Sequence, residues 1–335
     1  MQVSQRRTAR PRLHGSQWRE EIFTGAKSAL PGAAGAHCAM TTLPLTVLVY
    51  EGPIARAYLA VLRYAGYRPE RIIALPRRRK TARQKTWLPR LLVDAHRLRR
   101  AVDQGLHWPR WLRRYESDLY REMVEKVGAA FGLPQEVFGE ALDGPELASD
   151  AANVECIAVE SLKDRALSQR LSALPPGEIL YSGGGIVPPA LLNDPVRPFL
   201  HVHPGFLPHV RGADGLLWSL LVRQRLGASC FHMTAGIDLG PVLAAREFAP
   251  LTFAFPRRTT VDEAMLHRAL FSFYDPYLRA KTLIDHLRSR PAGGAWPTAV
   301  PQDPALGTTY HFMHPALRHR VLRLLFKDSH EASAR

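Results

Sequence analysis

The residues of this chain best suited to acid–base chemistry are two histidines and an aspartate. Leu200–Gly215 reads LHVHPGFLPHVRGADG and sets His203 on a Pro-Gly turn behind a short apolar run. Ser229–Leu243 reads SCFHMTAGIDLGPVL and sets Asp238 on a second tight turn about 35 residues later. Each turn follows a run that reads as a buried strand. A histidine and a carboxylate carried on such turns can converge on one cleft, a common way to build an acid–base pair.

The elements that must position them follow from the apolar periodicity. Leu45–Tyr50 (LTVLVY) is a run of β-formers, Gly52 and Pro53 end it, Ile54–Tyr64 has helical spacing, and Arg71–Leu75 is apolar again. This is a strand–helix–strand unit. Cys156–Val159, Glu178–Ser182 and Phe199–Val202 are further strand candidates, with a helix over Leu162–Leu174 and a glycine run at Gly183–Gly185. The alternation predicts an α/β fold: a mostly parallel, Rossmann-like sheet with helices on both faces. Sites in such sheets collect at the carboxyl ends of strands. Gly183–Gly185, His203 and the turn after Tyr50 all fall there.

Between Leu75 and Val154 the alternation stops. Two helix-like segments, Leu88–Gln104 and Trp111–Phe131, are separated by a break at Gly105–Pro109. They carry Trp87, Trp108 and Trp111 beside Arg90, Arg97, Arg99, Arg100, Arg110, Arg113 and Arg114. This reads as a basic helical insertion over residues 76–150. It is either a solvated basic face with its tryptophans packed on the domain, or a docking surface for an anionic partner or lipid headgroups. Beyond Asp238 come an extended segment, Val242–Phe253, and a helix from near Thr260 with Glu263 completing a capping box. That helix runs to about Arg290 with a bend at Pro276. A linker follows at Pro291–Pro297, then a strand-like piece and a basic helix within Thr308–Phe326. The expected organisation is a disordered extension over 1–39, an α/β domain over 40–290 and a short C-terminal segment over 291–335.

Composition bounds the function class. The 335 residues are enough to bury a sizeable core. No apolar run approaches the roughly 20 residues that span a bilayer, so no transmembrane segment is expected. The net charge of +15 comes mostly from arginine. It reflects either a compositional bias or a partner of negative charge. Cys38, Cys156 and Cys230 are widely spaced and form neither a metal pattern nor a disulfide framework. Cys156 and Cys230 read as core residues, and a cytoplasmic setting is expected. Residues 1–39 lack the apolar core of a secretory signal.

The stretch HVHPGFLPHVRGAD followed by GIDLGPVL resembles the signature of the folate-dependent formyltransferases, which include the glycinamide ribonucleotide, methionyl-tRNA and amino-sugar enzymes. Their pattern is an Asn-x-His-Pro turn, a Leu-Leu-Pro-x-x-Arg-Gly loop and a Val/Ile-Asp-x-Gly-Pro turn, and Ile179–Leu243 fits it. The resemblance implies a formyltransferase fold and 10-formyltetrahydrofolate as formyl donor. It makes His203 the acid–base histidine and Asp238 its carboxylate. Formyl transfer needs an amine to attack a formyl carbon, an oxyanion to be stabilised and a leaving nitrogen to gain a proton. A histidinium serves the last two, and a nearby carboxylate raises its pKa by roughly 1–3 units. The donor's pterin is expected against the strand-end backbone at Tyr181–Val187, including Gly183, Gly184 and Ile186. The other wall is the loop Phe206–Gly212, including Leu207, Arg211 and Gly212. Arg211 either holds that loop or binds a carboxylate.

One position departs from the pattern: His201 stands where the family carries asparagine. Three readings follow. His201 replaces the amide donor, or the chemistry has shifted toward hydrolysis or another acyl group, or the site is degenerate. The expected acceptor is an amine of a small molecule. The turn YEGPIAR after the first strand holds Glu51 and is a poor phosphate cradle, which argues against glycinamide ribonucleotide. The segment after the last long helix does not resemble the C-terminal β-domain of the tRNA-specific members. Two other functions remain as alternatives: a 10-formyltetrahydrofolate hydrolase, and a non-catalytic basic binding protein reusing the fold.

Overall fold

The first strand, β1 (Thr41–Val49), sends alternate side chains into two apolar clusters, Val47 and Val49 on one face and Leu48 on the other. A strand buried on both faces is the mark of a parallel sheet covered by helices. The computed structural model describes residues 40–78, 90–144, 146–255, 262–289 and 298–328. The expected extension over 1–39, Trp87, Thr260 and the 291–297 linker lie outside these residues.

The chain continues with α1 (Pro53–Tyr64), β2 (Tyr67–Ala74) and four helices, α2 (Arg90–Gly105), α3 (His107–Tyr115), α4 (Ser117–Phe131) and α5 (Gln135–Asp143). Then come β3 (Asn153–Cys156), α6 (Arg165–Ser172), β4 (Glu178–Tyr181), α7 (Pro189–Leu192) and β5 (Phe199–His203). A short β6 (Val210–Gly212), α8 (Gly215–Arg223), β7 (Leu226–His232), β8 (Val242–Phe248) and β9 (Phe253–Phe255) follow. The last elements are α9 (Glu263–Phe273), α10 (Asp275–Arg288), β10 (Thr308–Tyr310), α11 (Pro315–Leu325) and β11 (Phe326–Asp328). The main sheet has seven strands in the order β3-β2-β1-β4-β5-β7-β8. The first five are parallel, and β7 and β8 add antiparallel pairings. The chain is therefore α/β with a mostly parallel sheet. No described helix is long and apolar enough to cross a membrane.

Several boundaries differ from the sequence reading for local reasons. The insertion holds four described helices, not two. Glu116 leaves helical geometry between α3 and α4, while the apolar period carries on across it and hides the break. Gly132 and Gly144 end α4 and α5 at φ 66 and 64, which glycine adopts without a Cβ clash. The extended segment after Asp238 divides at Pro250 into β8 and β9. The next helix begins at Asp262, whose carboxylate accepts from the Met265 N–H at 2.8 Å. The bend expected at Pro276 is a full break, because proline is suited to the first turn of a new helix, α10. Cys230 is buried, whereas Cys156 is only half-buried.

Three of the arginines noted in the insertion have carboxylate partners there: Arg97 with Asp94, Arg110 with Asp103, and Arg113 with Asp143. Trp111 packs against the main core, and Arg268 of α9 lies 3.6 Å over the Trp108 ring. The end of α2 closes on the β1–α1 turn, where a side-chain Cβ at Gly105 would collide with the Glu51 carbonyl.

Behind β5 lies α10, whose Arg279 is nearly buried. It donates to Asp275 at 2.9 Å and to the Val202 carbonyl at 2.8 Å. Removing one member of a buried ion pair strands the other. Arg279→Ala is therefore expected to lower the unfolding free energy by about 3–5 kcal/mol. Urea titration followed by circular dichroism measures it, and a change within about 0.5 kcal/mol, as at an ordinary surface site, contradicts the assignment.

Candidate functional site

The site grows from the pleat of β5. Leu200 and Val202 join the core on the α10 side, so His201 and His203 point to the opposite face. His203 ends the strand and is sealed in, with its side chain 4% exposed. Gly205 and Gly215 allow this, since a Cβ on either would stand 2.5 or 2.9 Å from Nε2.

Both ring nitrogens of His203 have partners. Nε2 lies 3.0 Å from the Val210 carbonyl, and Nδ1 lies 3.3 Å from Asp238 Oδ2. A carbonyl only accepts, so Nε2 carries the hydrogen of that bond. Any proton gained or lost by the ring therefore passes at Nδ1, on the Asp238 side. Burial pushes the His203 pKa below the ordinary histidine value, with Asp238 pulling it back up and Arg279 adding to the depression. The rise implied by the resemblance is thus outweighed: desolvation of the imidazolium exceeds the attraction of one carboxylate.

Asp238 reaches His203 by an indirect path. Because β7 runs antiparallel to β5, it ends near Phe199, where the Met233 N–H donates to the Phe199 carbonyl at 2.7 Å. The 233–241 segment must turn back to bring Asp238 to the carboxyl end of β5. Asp238 takes a left-handed conformation, φ 52, which aspartate and asparagine tolerate better than most residues. Its Oδ2 accepts from the Gly212 N–H at 2.8 Å. The amide of Gln302 donates to the backbone carbonyls of Asp238 and Gly240 at 2.8 and 2.6 Å.

His201 is half-buried. Its Nδ1 lies 3.0 Å from the Tyr181 carbonyl, and its ring stands edge-on to Phe231. Burial, with the Arg279 charge behind it, pushes its pKa down to about 4. His201 is accordingly a neutral imidazole at neutral pH.

The residues expected around a pterin divide into two sets. Gly183 packs tightly on Tyr50 and Tyr181, the Gly184 carbonyl accepts from the Tyr181 hydroxyl at 3.0 Å, and Ile186 is 82% exposed. Leu207, Arg211 and Gly212 make contacts with the framework. Leu207 is buried with Phe206 and Phe231, and its N–H donates to Ser229. Arg211 is buried and caps the carbonyls of Asp303 and Pro304 at 3.2 and 3.3 Å. Gly212, at φ 91, meets the Tyr310 carbonyl so closely that no Cβ fits. Of the two roles open to Arg211, holding its loop is the one its described contacts fulfil.

Sequence reasoning missed Gln302 and Arg279. Nothing in the local pattern around Gln302 signals a loop clamp, since its partners lie about 60 residues earlier. Arg279 leaves a faint trace: Asp275 and Arg279 are an i,i+4 pair on their helix, though Lys281 and Asp285 form another there, so the spacing does not single it out.

Two measurements follow. Gln302→Ala removes two neutral hydrogen bonds, each worth about 0.5–1.5 kcal/mol, from the Asp238 turn. The Gly212 amide, which donates to Asp238, should then exchange hydrogen roughly ten- to a hundredfold faster. Unchanged protection at Gly212 would show that the turn holds itself. The second concerns pH. His201 and His286 are both pushed to about 4 from 6.5. The unfolded chain therefore binds more protons than the folded one between those values. Stability should be full above about 6.5, decline as pH falls toward 4, and lose no more from these groups below it. Urea midpoints measured against pH test this, and a flat profile from 7 to 4 refutes it.

Comparison with known proteins gives the relatives. No family model matches the sequence. The methionyl-tRNA formyltransferase of Stenotrophomonas maltophilia (strain R551-3) is 34% identical over 194 residues, covering 55% of this chain and 58% of that protein. The methionyl-tRNA formyltransferase of Syntrophus aciditrophicus (strain SB) is 29% identical over 113 residues, 32% of this chain and 36% of that one. The chain thus spans less than three-fifths of the length of these curated relatives. Among solved structures, a sugar N-formyltransferase from Shewanella sp FDAARGOS_354 overlaps 83% of this chain and 85% of its own at 12% identity and a TM-score of 0.38. HypX from Aquifex aeolicus, in complex with tetrahydrofolic acid, overlaps 49% of this chain and 26% of its own at 18% identity and a TM-score of 0.31. At such scores the structural overlap is too loose to carry an argument. The sequence matches make the chain a relative of the formyltransferase family.

Proposed function

We propose that this protein transfers a formyl group from 10-formyltetrahydrofolate to an amine of a small molecule. The observation that carries the reading is the 3.3 Å approach of His203 Nδ1 to Asp238 Oδ2, beside His201. Three titratable groups thus meet at one strand end, in a chain related to formyltransferases. The reaction needs proton transfer at two nitrogens, and an imidazole–carboxylate pair with one mobile proton site suits it.

The donor reading is supported by exposed apolar side chains after β4 and on the Asp238 turn. Ile186 is exposed after the glycine turn that follows Tyr181, and Ile237 and Leu239 are exposed on either side of Asp238. A flat heterocycle laid against such side chains would cover them. Gly184, with open space where a side chain would stand, leaves room for it. Leu207, Arg211 and Gly212 would then hold the loop that carries this wall without touching the ligand through their side chains.

The β1–α1 turn bears on the acceptor. Glu51 and Arg56 form a buried ion pair at 2.8 Å, and α2 closes over the turn. A phosphate would meet a buried carboxylate there. The acceptor is accordingly an amine recognised without a phosphate at this turn.

The direct experiment is incubation with 10-formyltetrahydrofolate, following tetrahydrofolate release with and without pools of small amines. Amine-dependent release is expected. Release that ignores amines would favour hydrolysis, and no release would end the reading. His203→Ala and Asp238→Asn should each lower turnover by about 10²–10⁴ while the fold survives. Asparagine retains the left-handed turn at 238, so the second variant isolates the charge. Wild-type rates in either variant would remove the pair from the mechanism.

A further inference from the structure

The two histidines of β5 present different nitrogens. His203 has no open one: Nε2 is held by the Val210 carbonyl, Nδ1 faces Asp238, and two glycines wall the ring. An attacking group finds no free lone pair there. His201 is held on one side only. The Tyr181 carbonyl at 3.0 Å accepts and cannot donate, so Nδ1 carries the hydrogen. A neutral imidazole hydrogenated at Nδ1 has its lone pair at Nε2. The described residues offer Nε2 no hydrogen-bond partner, and it is not among the sealed polar atoms.

We infer that His201 is a catalytic base whose Nε2 takes the proton of the attacking amine, leaving the His203–Asp238 pair to protonate the departing nitrogen. This rests on the proposed function and assigns the two proton transfers to different groups. The amine lone pair forms the bond to the formyl carbon, and the carbonyl π pair moves to oxygen. The amine N–H breaks, its proton going to Nε2 and its electron pair remaining on nitrogen. When the tetrahedral intermediate collapses, the oxygen pair re-forms the carbonyl and the bond to the folate nitrogen breaks. That nitrogen keeps the electron pair and takes a proton that the His203–Asp238 pair has first drawn from solvent and holds between Nδ1 and Oδ2. One proton has then moved from the pair to His201, and exchange with solvent returns it. Burial keeps the Nε2 lone pair unprotonated at neutral pH and at the same time makes it a weaker base, so the proton it takes is passed on readily to solvent. The same effect on His203 makes the protonated pair a stronger acid. Environments that divide base from acid in this way are a general device of proton-transfer sites.

The inference separates His201 from an amide-donor role. With Nδ1–H on Tyr181 and a lone pair at Nε2, the neutral ring has no hydrogen to offer a formyl oxygen. Nitrogen-15 NMR of histidine-labelled protein, with His201 signals assigned by their loss in His201→Asn, reads this without any turnover. A hydrogen-bearing Nδ1 and a bare Nε2 near neutral pH are expected. A hydrogen on Nε2 would overturn the inference. In the transfer assay, His201→Asn should lose about 10²–10⁴ in kcat. His201→Gly should regain part of its turnover when free imidazole is added. A His201→Asn variant as fast as wild type, or faster, would show the position to be a donor site and overturn the proposal. If the wild type transfers no formyl group at all, the proposed function falls, while the NMR result still decides the His201 tautomer.

Discussion

Two backbone carbonyls govern what this site can do. Those of Val210 and Tyr181 each face one nitrogen of a histidine, and because a carbonyl can only accept, each fixes where a hydrogen must be. On His203 the fixed hydrogen turns the exchangeable position toward Asp238. On His201 it turns the lone pair outward. Carbonyls at the end of β4 and the start of β6 belong to the backbone of strands, so the proton logic is built into main-chain geometry. Side-chain substitutions nearby can weaken it but not readily reverse it.

The geometry depends on parts that lie far from the chemistry in sequence. The Asp238 turn is reached from the wrong end of the sheet, because β7 is antiparallel, and it is held by three hydrogen bonds from outside itself. Gly212 supplies one and Gln302 two. The segment around Gln302 is in turn fixed by Arg211 on the Asp303 and Pro304 carbonyls and by β10 pairing with β6. The C-terminal segment thus ties the two motif-bearing turns together. From the other face, Arg279 grips the carbonyl of Val202, the residue between the two histidines, and its charge helps to lower the pKa of both. A buried guanidinium this close to two imidazoles favours their uncharged forms in the same way that desolvation does.

The sequence makes the sheet legible because strands buried on both faces leave unbroken apolar runs, and β1, β2, β4 and β5 stand close to where those runs lie. It also makes His203, Asp238 and His201 legible as candidates, through their turns and the resemblance those turns carry. It leaves two things hidden. One is the sign of the His203 shift, since a neighbouring carboxylate is visible in sequence and the loss of water is not. The other is every contact made by residues distant along the chain, of which Gln302 is the clearest. The helix break at Glu116 is obscured for a different reason: apolar periodicity continues across it, whereas the break at Tyr274 is signalled in sequence by Pro276.

At His201 the tautomer, the burial and the packing act on one ring. A neutral amide at this place could hold out a hydrogen to an oxygen; a neutral imidazole tied through Nδ1 cannot. Substituting one for the other changes the site from donor to acceptor without changing its charge, provided that burial keeps the ring unprotonated. Arg279 and the surrounding apolar rings meet that condition. The same wall that lowers the histidine's affinity for protons therefore defines its chemistry. A more open pocket, letting water solvate the imidazolium, would return the ring to the ordinary histidine range, and near pH 6.5 half of the rings would then be charged and without a lone pair to offer. The tight packing at the end of β5 and the acceptor character of His201 are two aspects of one constraint.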